Sequence, residues 1–151
     1  MIIADILKQK SGEIYSIEST SKLCDAIIEL NIKKVGALLV KNKKGTIAGI
    51  LTERDILTKA CPKNIQSEDA LVSEIMTPRE KLIIGTDTDT VSYVMHIMTE
   101  KKIRHMPIYV GEKLIGLISI GDVIKTVMDQ SEAEVKLLKE HIKNPYGINF
   151  S

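Results

Sequence analysis

Apolar residues along the chain form two kinds of pattern. One is the spacing typical of a helix, and the other is the short continuous run typical of a buried strand. Four of them recur at intervals of three and four positions, which places them on one face of a helix: Leu23, Ala26, Ile27 and Leu30. Residues 35–40 are continuously apolar, as is common in a strand buried on both faces. The turn-forming residues 42–45 separate this segment from a second apolar segment that ends at Leu51. The pattern predicts a hairpin, followed by a helix over residues 53–60.

The same order of elements occurs a second time in the chain. The helical stripe returns 68 positions later (91 − 23), and its members are Val91, Val94, Met95 and Met98. Residues 83–86 take the place of a first strand predicted at 14–17, and residues 103–108 take the place of 35–40. We therefore predict an α+β fold of two tandem units, each strand–helix–strand–strand–helix, packed face to face about a pseudo-twofold axis.

The end of each hairpin carries the same polar pattern: a glycine, a hydroxyl residue three positions later, and an aspartate three beyond that. The two sets are Gly49, Thr52 and Asp55, and Gly116, Ser119 and Asp122. Corresponding members are 67 positions apart (122 − 55), because the second hairpin turn is one residue shorter. Such a pattern can cap a helix, which stabilises its end by about 1 kcal/mol. A single motif favours capping, whereas its duplication favours a pair of binding sites over capping alone.

Segments outside the repeats complete the predicted organisation. Residues 1–10 carry apolar side chains on one side and predict a short helix, and the polar residues 62–70 predict a linker. Ser131 and Glu134 have the spacing of a capping box and predict a separate last helix, ended by Pro145. We divide the chain into a first domain with the N-terminal helix, a second domain, and a C-terminal helix and tail: 1–65, 66–130 and 131–151.

Composition narrows the classes of function. Only 3 % of the residues are aromatic, whereas single-stranded nucleic acid is bound largely by stacking on aromatic rings. The net charge of +1 supplies no field that would attract nucleic acid or an anionic membrane. The sequence lacks a signal-peptide pattern and an apolar run of about 18 residues. Two cysteines do not make a disulfide framework, so we expect a cytoplasmic protein. From the charge and the low aromatic content we expect no nucleic-acid partner and no membrane partner.

Three motifs give the chain a resemblance to a known family: Ile75-Met76-Thr77-Pro78, the Ile-Arg-His-Met-Pro-Ile segment at 103–108, and the Gly-x-x-Ser-x-x-Asp pattern that ends at Asp122. Each repeat resembles a CBS domain, the module named after cystathionine β-synthase. The tandem resembles a stand-alone CBS pair, or Bateman module, over roughly residues 1–130. The resemblance implies a regulatory protein that binds AMP, ADP or ATP between its repeats. It also implies a homodimer that passes its binding state to an unknown regulated protein.

The resemblance also implies which residues meet the ligand. In the family, the hydroxyl and the aspartate of the repeated motif line a cleft, where a carboxylate can accept hydrogen bonds from ribose and a hydroxyl can meet a phosphate. Nearby cations can neutralise the phosphate. The ribose and phosphate candidates are Thr52, Arg54, Asp55, Ser119, Asp122, Arg104 and His105. The adenine candidates, which are equally well explained as core residues, are Ile17, Ala37, Leu38, Gly85, Met106 and Pro107.

The two repeats differ at the predicted sites. Gly36 and Ala37 stand where the second repeat has Arg104 and His105. Gly121 stands where the first repeat has Arg54. We therefore expect the two clefts to differ in charge and in affinity for a nucleotide.

Catalysis and metal binding are not indicated by the residues. The sequence has no Gly-rich phosphate loop and no distinctive pair of nucleophile and base. None of the three histidines, His96, His105 and His141, pairs with a cysteine at ligand spacing. We expect no enzyme activity, no metal and no catalytic cofactor. The remaining alternatives are a sensor of S-adenosylmethionine, NAD or a cyclic dinucleotide, and a ligand-free interaction scaffold. The cations favour a phosphate over a sulfonium, which prefers acidic or aromatic surroundings.

Overall fold

The structure, a computed structural model, describes residues 1–10 and 12–141. Helix α1 (Ile3–Gln9) precedes the first repeat. That repeat consists of β1 (Ser16–Glu18), α2 (Leu23–Lys33), β2 (Ala37–Lys41), β3 (Ile47–Thr52) and α3 (Glu53–Asp55), which continues as a π-helical turn, Ile56–Ala60. The predicted first helix, hairpin and following helical segment are thereby confirmed.

The second repeat follows a connecting segment. That segment contains α4 (Val72–Ile75), β4 (Thr77–Pro78) and a 3₁₀ turn, Arg79–Lys81. The repeat itself consists of α5 (Val91–Lys101), β5 (His105–Val110), β6 (Lys113–Ser119) and α6 (Ile120–His141). Helices α2 and α5 are each followed by a lysine with left-handed backbone, Lys34 at φ 54° and Lys102 at φ 55°, so the helix ends repeat as well as the helices.

Strand pairing gives the first repeat the larger sheet. Strand β2 is parallel to β1 and antiparallel to β3, and β3 also pairs with β4 through Gly49 and Pro78. Strands β5 and β6 form an antiparallel hairpin in which His105 lies opposite Ser119. The strand predicted at 83–86 is shorter than expected, because only Gly85 pairs, in a parallel bridge to Ile108. The side chain of Asp89 accepts the Thr86 N–H at 2.9 Å and turns the chain away at once.

Three apolar clusters hold the fold together. One lies between α2 and one face of the first sheet, and a second lies between α5, α6 and the β5–β6 hairpin. Along β2 the side chains alternate, so Leu38 and Val40 enter the first core while Ala37 and Leu39 enter the third cluster. Leu117 of β6 packs against that third cluster. The run of β2 is continuously apolar because both faces of the strand are buried. The third cluster lies between the sheets of the two repeats, so the repeats pack sheet against sheet, as predicted.

The short helix α1 packs in the core of the second repeat, and the short helix α4 packs in the core of the first. Ile3 and Ile6 of α1, which sequence position groups with the first domain, are buried in the core of the second repeat. Val72 and Ile75 of α4, which follow the first repeat, are buried in the core of that repeat. The Ile3 amide donates to the Asp89 carbonyl at 2.9 Å, so α1 is also anchored by its backbone. The start of the chain is therefore part of the second repeat's structure.

Helix α6 corrects the prediction of a separate last helix. It runs without a break from Ile120 to His141, and Ser131 lies inside it rather than at its start. No glycine or proline occurs between 122 and 141, so nothing in the chain interrupts the helix. Pro145, the predicted end, lies outside the described residues. Within the described chain, no helix combines the length and apolar character needed to cross a membrane.

Candidate functional site

A cleft of about 470 Å³ opens between the end of the first hairpin and the loop that leads into β5. Five of the residues predicted to meet ribose or phosphate line it: Thr52, Arg54, Asp55, Arg104 and His105. The first three come from one repeat and the last two from the other, so the cleft is shared between the repeats. Ser119 and Asp122 are not among the described residues of its wall.

Asp55 is buried at the base of this cleft, and its carboxylate is fully engaged. Oδ2 accepts the Thr52 backbone N–H at 3.0 Å and the Thr52 hydroxyl at 3.1 Å. Oδ1 accepts the Thr77 hydroxyl at 2.9 Å and forms an ion pair with Lys59 Nζ at 2.9 Å. A carboxylate offers about four acceptor positions, and protein donors use all four. Capping of α3 and contact with the cleft are therefore combined in one side chain.

Arg54 and His105 bring the two repeats together at the mouth of the cleft. Arg54 is exposed and donates from Nη1 to the Lys102 carbonyl at 2.6 Å. His105 packs against Gly36 so closely that a methyl group on Gly36 would lie 3.3 Å from its Cε1. Burial and then the charge of Lys10 lower the pKa of His105 below its ordinary value of 6.5, although Asp122 acts in the opposite direction. Its imidazole is therefore neutral near pH 7.

The second motif has a different arrangement. Asp122 Oδ2 accepts the Ser119 backbone N–H at 2.8 Å, and the Ser119 hydroxyl accepts the Asp122 N–H at 3.1 Å, which is a capping box. Lys10 Nζ forms an ion pair with the same Oδ2 at 2.7 Å. Burial alone would raise the pKa of Asp122, but the hydrogen bonds from Lys10 and Ser119 outweigh it and lower the pKa below 3.8.

The apolar wall of the first cleft differs from the adenine candidates. Among the described residues of the wall, none of the six candidates appears. Leu38 and Met106 point into the helix-facing cores, and Ala37 lies in the cluster between the sheets, because successive side chains of a strand face opposite sides. Ile17 packs against the first core, while Gly85 and Pro107 are buried. The wall is formed instead by Ile50, Leu57, Leu82, Ile83 and Ile103.

Comparison with known proteins identifies the fold. Residues 3–60 and 72–129 each match the family model described as the CBS domain. The chain belongs to the CBS domain family. Each matched segment spans one structural repeat, the second as far as residue 129 in α6, and the short helix that precedes it in sequence, α1 or α4, so the resemblance predicted from the motifs is confirmed.

Relatives share this paired arrangement over most of the chain. The mitochondrial CBS domain-containing protein CBSX3 of Arabidopsis thaliana is 33 % identical over 150 residues, which cover 95 % of this chain and 73 % of the plant protein. A solved protein with CBS domains from Burkholderia ambifaria is 39 % identical with a TM-score of 0.81, over 85 % of this chain and 95 % of that one. A CBS domain pair solved with 5′-methylthioadenosine and S-adenosyl-L-methionine is 21 % identical with a TM-score of 0.72, over 86 % of this chain and 98 % of that one, and shares the fold.

Two cations of the cleft of this CBS pair were missed by the sequence analysis. Lys81 lies in the 3₁₀ turn that links the repeats, and Lys102 is the left-handed residue that ends α5. No motif singles them out, although Lys102 stands two positions before the predicted Arg104. The cleft also contains Glu53. Since Asp55 is already paired with Lys59, the uncompensated charge of the wall is positive.

Metal binding has no structural support in the part of the chain that is described. Within those residues, no group of three or more histidine, cysteine, aspartate or glutamate side chains is arranged to hold an ion. His105, the one histidine in the cleft wall, has cationic neighbours in Arg104 and Lys10. The surroundings of the cleft are suited to an anion rather than to a metal ion.

Proposed function

We propose that this CBS pair is a regulatory module that binds an adenosine nucleotide, AMP, ADP or ATP, in the cleft shared by its repeats. CBS pairs are regulatory ligand-binding modules, and the nucleotide is the finer assignment. The main support is that one cleft of about 470 Å³ is lined both by a hydroxyl–aspartate motif and by a set of cations. A volume of this size is within the range of small-molecule sites.

The phosphates are assigned to the cationic side of the cleft. Arg54 and Arg104 offer planar, paired donors that match phosphate oxygens, and Lys81 and Lys102 add point charges. All four side chains are exposed, so they can reorient toward a ligand without the loss of buried contacts. This charge favours two or three phosphates over one, and it opposes the sulfonium of S-adenosylmethionine.

The ribose is assigned to Asp55, where a ligand must replace an existing donor. Lys59 is the donor most easily displaced, because its side chain is 40 % exposed, whereas Thr52 is held by the capping box. After displacement, Lys59 keeps weaker hydrogen bonds to the Ile75 and Met76 carbonyls at 3.2 and 3.4 Å. Ribose binding is thereby linked to α4 and the segment between the repeats, which offers a way to report occupancy.

The adenine ring is assigned to the apolar wall. Ile50 and Leu82 belong to the cluster between the sheets or pack against it, and Ile83 and Ile103 continue the wall toward the second repeat. Leu57, which is 65 % exposed, can close over a base. An aliphatic slot of this kind accepts a planar ring without aromatic stacking, consistent with the low aromatic content.

Regulation requires a partner and a difference in affinity between two states. A ligand shifts a conformation only as far as it prefers one state over the other. Arg54 bonds across the cleft in the described state, so a phosphate that takes its guanidinium breaks a contact between the repeats. We propose that an unidentified regulated protein reads that change, and that the chain itself performs no catalysis.

A homodimer and a cytoplasmic location are further parts of the proposal. Ile28 and Ile32, one turn apart on α2, are 54 % and 64 % exposed, and Ile124 and Met128 of α6 are also exposed. Pairing of such helix faces would cover them. Sedimentation should give a dimer that Ile32→Glu weakens; a monomeric wild type would contradict the homodimer.

The free Cys24 and Cys61 suit a reducing compartment, which supports the cytoplasmic location. Import of the tagged chain into an organelle would contradict that location.

Calorimetric titration tests the ligand assignment. ADP, S-adenosylmethionine and NAD are compared at the same protein concentration, with Arg104→Ala as the matched variant. We expect ADP to bind with a Kd between about 1 μM and 1 mM and Arg104→Ala to weaken it about tenfold. Tighter binding of S-adenosylmethionine than of ADP would mean that the ligand is S-adenosylmethionine rather than a nucleotide. An absence of heat with all three would favour a ligand-free scaffold.

A further inference from the structure

The carboxylate of the second motif is occupied by the chain itself. Lys10, the residue that follows α1, extends across the hairpin end and donates from Nζ to the Leu117 carbonyl at 2.6 Å and to Asp122 Oδ2 at 2.7 Å. Its backbone is extended, with φ −87° and ψ 140°, and it directly follows the helix that packs in the core of the second repeat. An ammonium from the N-terminal segment therefore lies where a ligand of the second motif would donate.

The two motifs obtain their positive partner in different ways. In the first repeat, Lys59 is four residues after Asp55 on the same helical segment. The corresponding residue of the second repeat is Thr126, which is buried and carries no charge. Asp122 thus lacks a cation on its own helix, and Lys10 supplies the charge from a distance of more than a hundred residues in sequence. The positive charge that Thr126 does not provide in the second repeat is therefore provided by Lys10 from the start of the chain.

The second carboxylate is also the more accessible of the two. The Asp122 side chain is 25 % exposed against 8 % for Asp55, and the Lys10 side chain is 34 % exposed. Among the described residues, all the hydrogen bonds to the Asp122 carboxylate end on Oδ2, so Oδ1 retains acceptor capacity. An ion pair at a partly exposed lysine contributes little to stability, so a competing donor can take the place of the lysine. The hydrogen bonds that lower the pKa of Asp122 keep it ionised and ready to accept.

We propose that Lys10 is an internal competitor that closes a second nucleoside site at Asp122. The inference rests on the proposed function, since it takes the ligand of that site to be an adenosine compound. Ribose hydroxyls and the Lys10 ammonium compete for the acceptor positions of one carboxylate, so a nucleoside binds the second site more tightly once Lys10 has left. The departure of Lys10 frees the segment after α1, which is anchored on the second repeat.

Adenosine is the appropriate probe, because it lacks phosphates and so separates competition at Asp122 from attraction of Lys10 to an anion. Wild type, Lys10→Met and Lys8→Met are titrated by calorimetry. Lys8 is an exposed residue of α1, two positions before Lys10, and its substitution matches the change in net charge. The fourth variant is Lys10→Met combined with Asp122→Asn. Melting temperatures of all four are measured to show that each is folded.

We expect Lys10→Met to bind one more equivalent of adenosine per chain than wild type, or to bind it at least tenfold more tightly. Lys8→Met should match wild type, and the double variant should lose the gain. Equal stoichiometry and affinity in Lys10→Met and wild type would overturn the inference, as would a gain that survives Asp122→Asn. Wild type without any adenosine or ADP binding would count against the proposed function alone, because the comparison of Lys10→Met with wild type still decides the role of Lys10.

Discussion

Arg54 donates from Nη1 to the carbonyl oxygen of Lys102 at 2.6 Å, and this bond joins the first repeat to the second across the mouth of the cleft. The carbonyl belongs to the left-handed residue that ends α5. The guanidinium is exposed, so the bond is a contact that a phosphate can replace with a stronger, charge-assisted one. The same side chain therefore serves closure of the free protein and recognition of the ligand.

Removal of Arg54 is expected to weaken nucleotide binding more than folding. Arg54→Ala should raise the Kd for ADP about tenfold, a loss of about 1.4 kcal/mol, because a paired donor to phosphate is lost. Arg54→Lys should fall between the two, since it keeps the charge but not the planar pair of donors. Arg79→Ala is the control, as Arg79 is exposed and outside the described cleft wall. If Arg54→Ala and Arg79→Ala give the same Kd, the phosphate does not lie at Arg54.

The two motif aspartates should differ in their contribution to stability. Asp55→Asn removes the charge from a buried carboxylate with four donors and should lower the free energy of unfolding by about 2 kcal/mol. Asp122→Asn disturbs a more exposed ion pair and should cost about 1 kcal/mol or less. Urea denaturation of both variants measures the difference. Equal losses, or a larger loss at Asp122, would contradict the burial and saturation described for Asp55.

The stability of the protein should depend on the protonation of His105. Its pKa is lowered in the folded chain, chiefly by burial and then by Lys10, so the unfolded chain takes up a proton more readily as the pH falls through 6.5. Stability should therefore be complete above about pH 7.5, decline as the pH falls through about 6.5, and level off below the folded pKa. His105→Asn should reduce that slope, and His96→Asn, at an exposed helical position, should not.

Melting temperatures measured between about pH 5 and pH 8 for wild type and the two variants decide this point. The same pH slope in wild type and His105→Asn would mean that the decline has another source. A loss of slope in His96→Asn as well would point to general charge effects rather than to His105.

The paired glycines of the hairpins offer a test of how closely the connecting segment approaches the first repeat. A Cβ on Gly49 would collide with the backbone carbonyl oxygen of Thr77, whereas a Cβ on Gly116 would meet Leu7 Cδ2, the end of a flexible side chain, at 2.5 Å. Gly49→Ala should cost about 3 kcal/mol of unfolding free energy and Gly116→Ala about 1 kcal/mol. Denaturant unfolding gives both values. Gly49→Ala should also weaken ADP binding, because Thr77 donates to Asp55; a mild effect at Gly49 would show that the approach is looser.

Repetition made most of the fold predictable from the sequence. The helical stripes at 23–30 and 91–98 and the two hairpins were found because each unit buries one face of a helix and both faces of a strand, and both patterns occur at nearly the same spacing. The match between distant parts of the chain supplied the evidence that a single short strand could not. The strand at 83–86 was overestimated because an apolar run predicts a strand without revealing that Asp89 turns the chain after Gly85.

Contacts between segments far apart in sequence could not be predicted from local patterns. Nothing in residues 1–10 indicates that Ile3 and Ile6 complete the core of the second repeat, or that Lys10 reaches Asp122. The polar motif placed Thr52, Arg54 and Asp55 at one helix start, and the structure lines one cleft with all three; their contact with a ligand stays a prediction. The adenine candidates depended on which face of a strand meets the cleft, and that depends on how the two sheets pack.

The most direct test of the central claim is a crystal structure of the protein grown with ADP at a concentration well above its Kd. We expect ADP in the cleft shared by the repeats, with the ribose hydroxyls on Asp55 Oδ1 in place of Lys59 and the phosphates at Arg54 and Arg104. We also expect Lys10 to remain on Asp122. An empty cleft with the Arg54–Lys102 and Lys59–Asp55 contacts unchanged, or ADP bound elsewhere on the surface, would contradict the central claim.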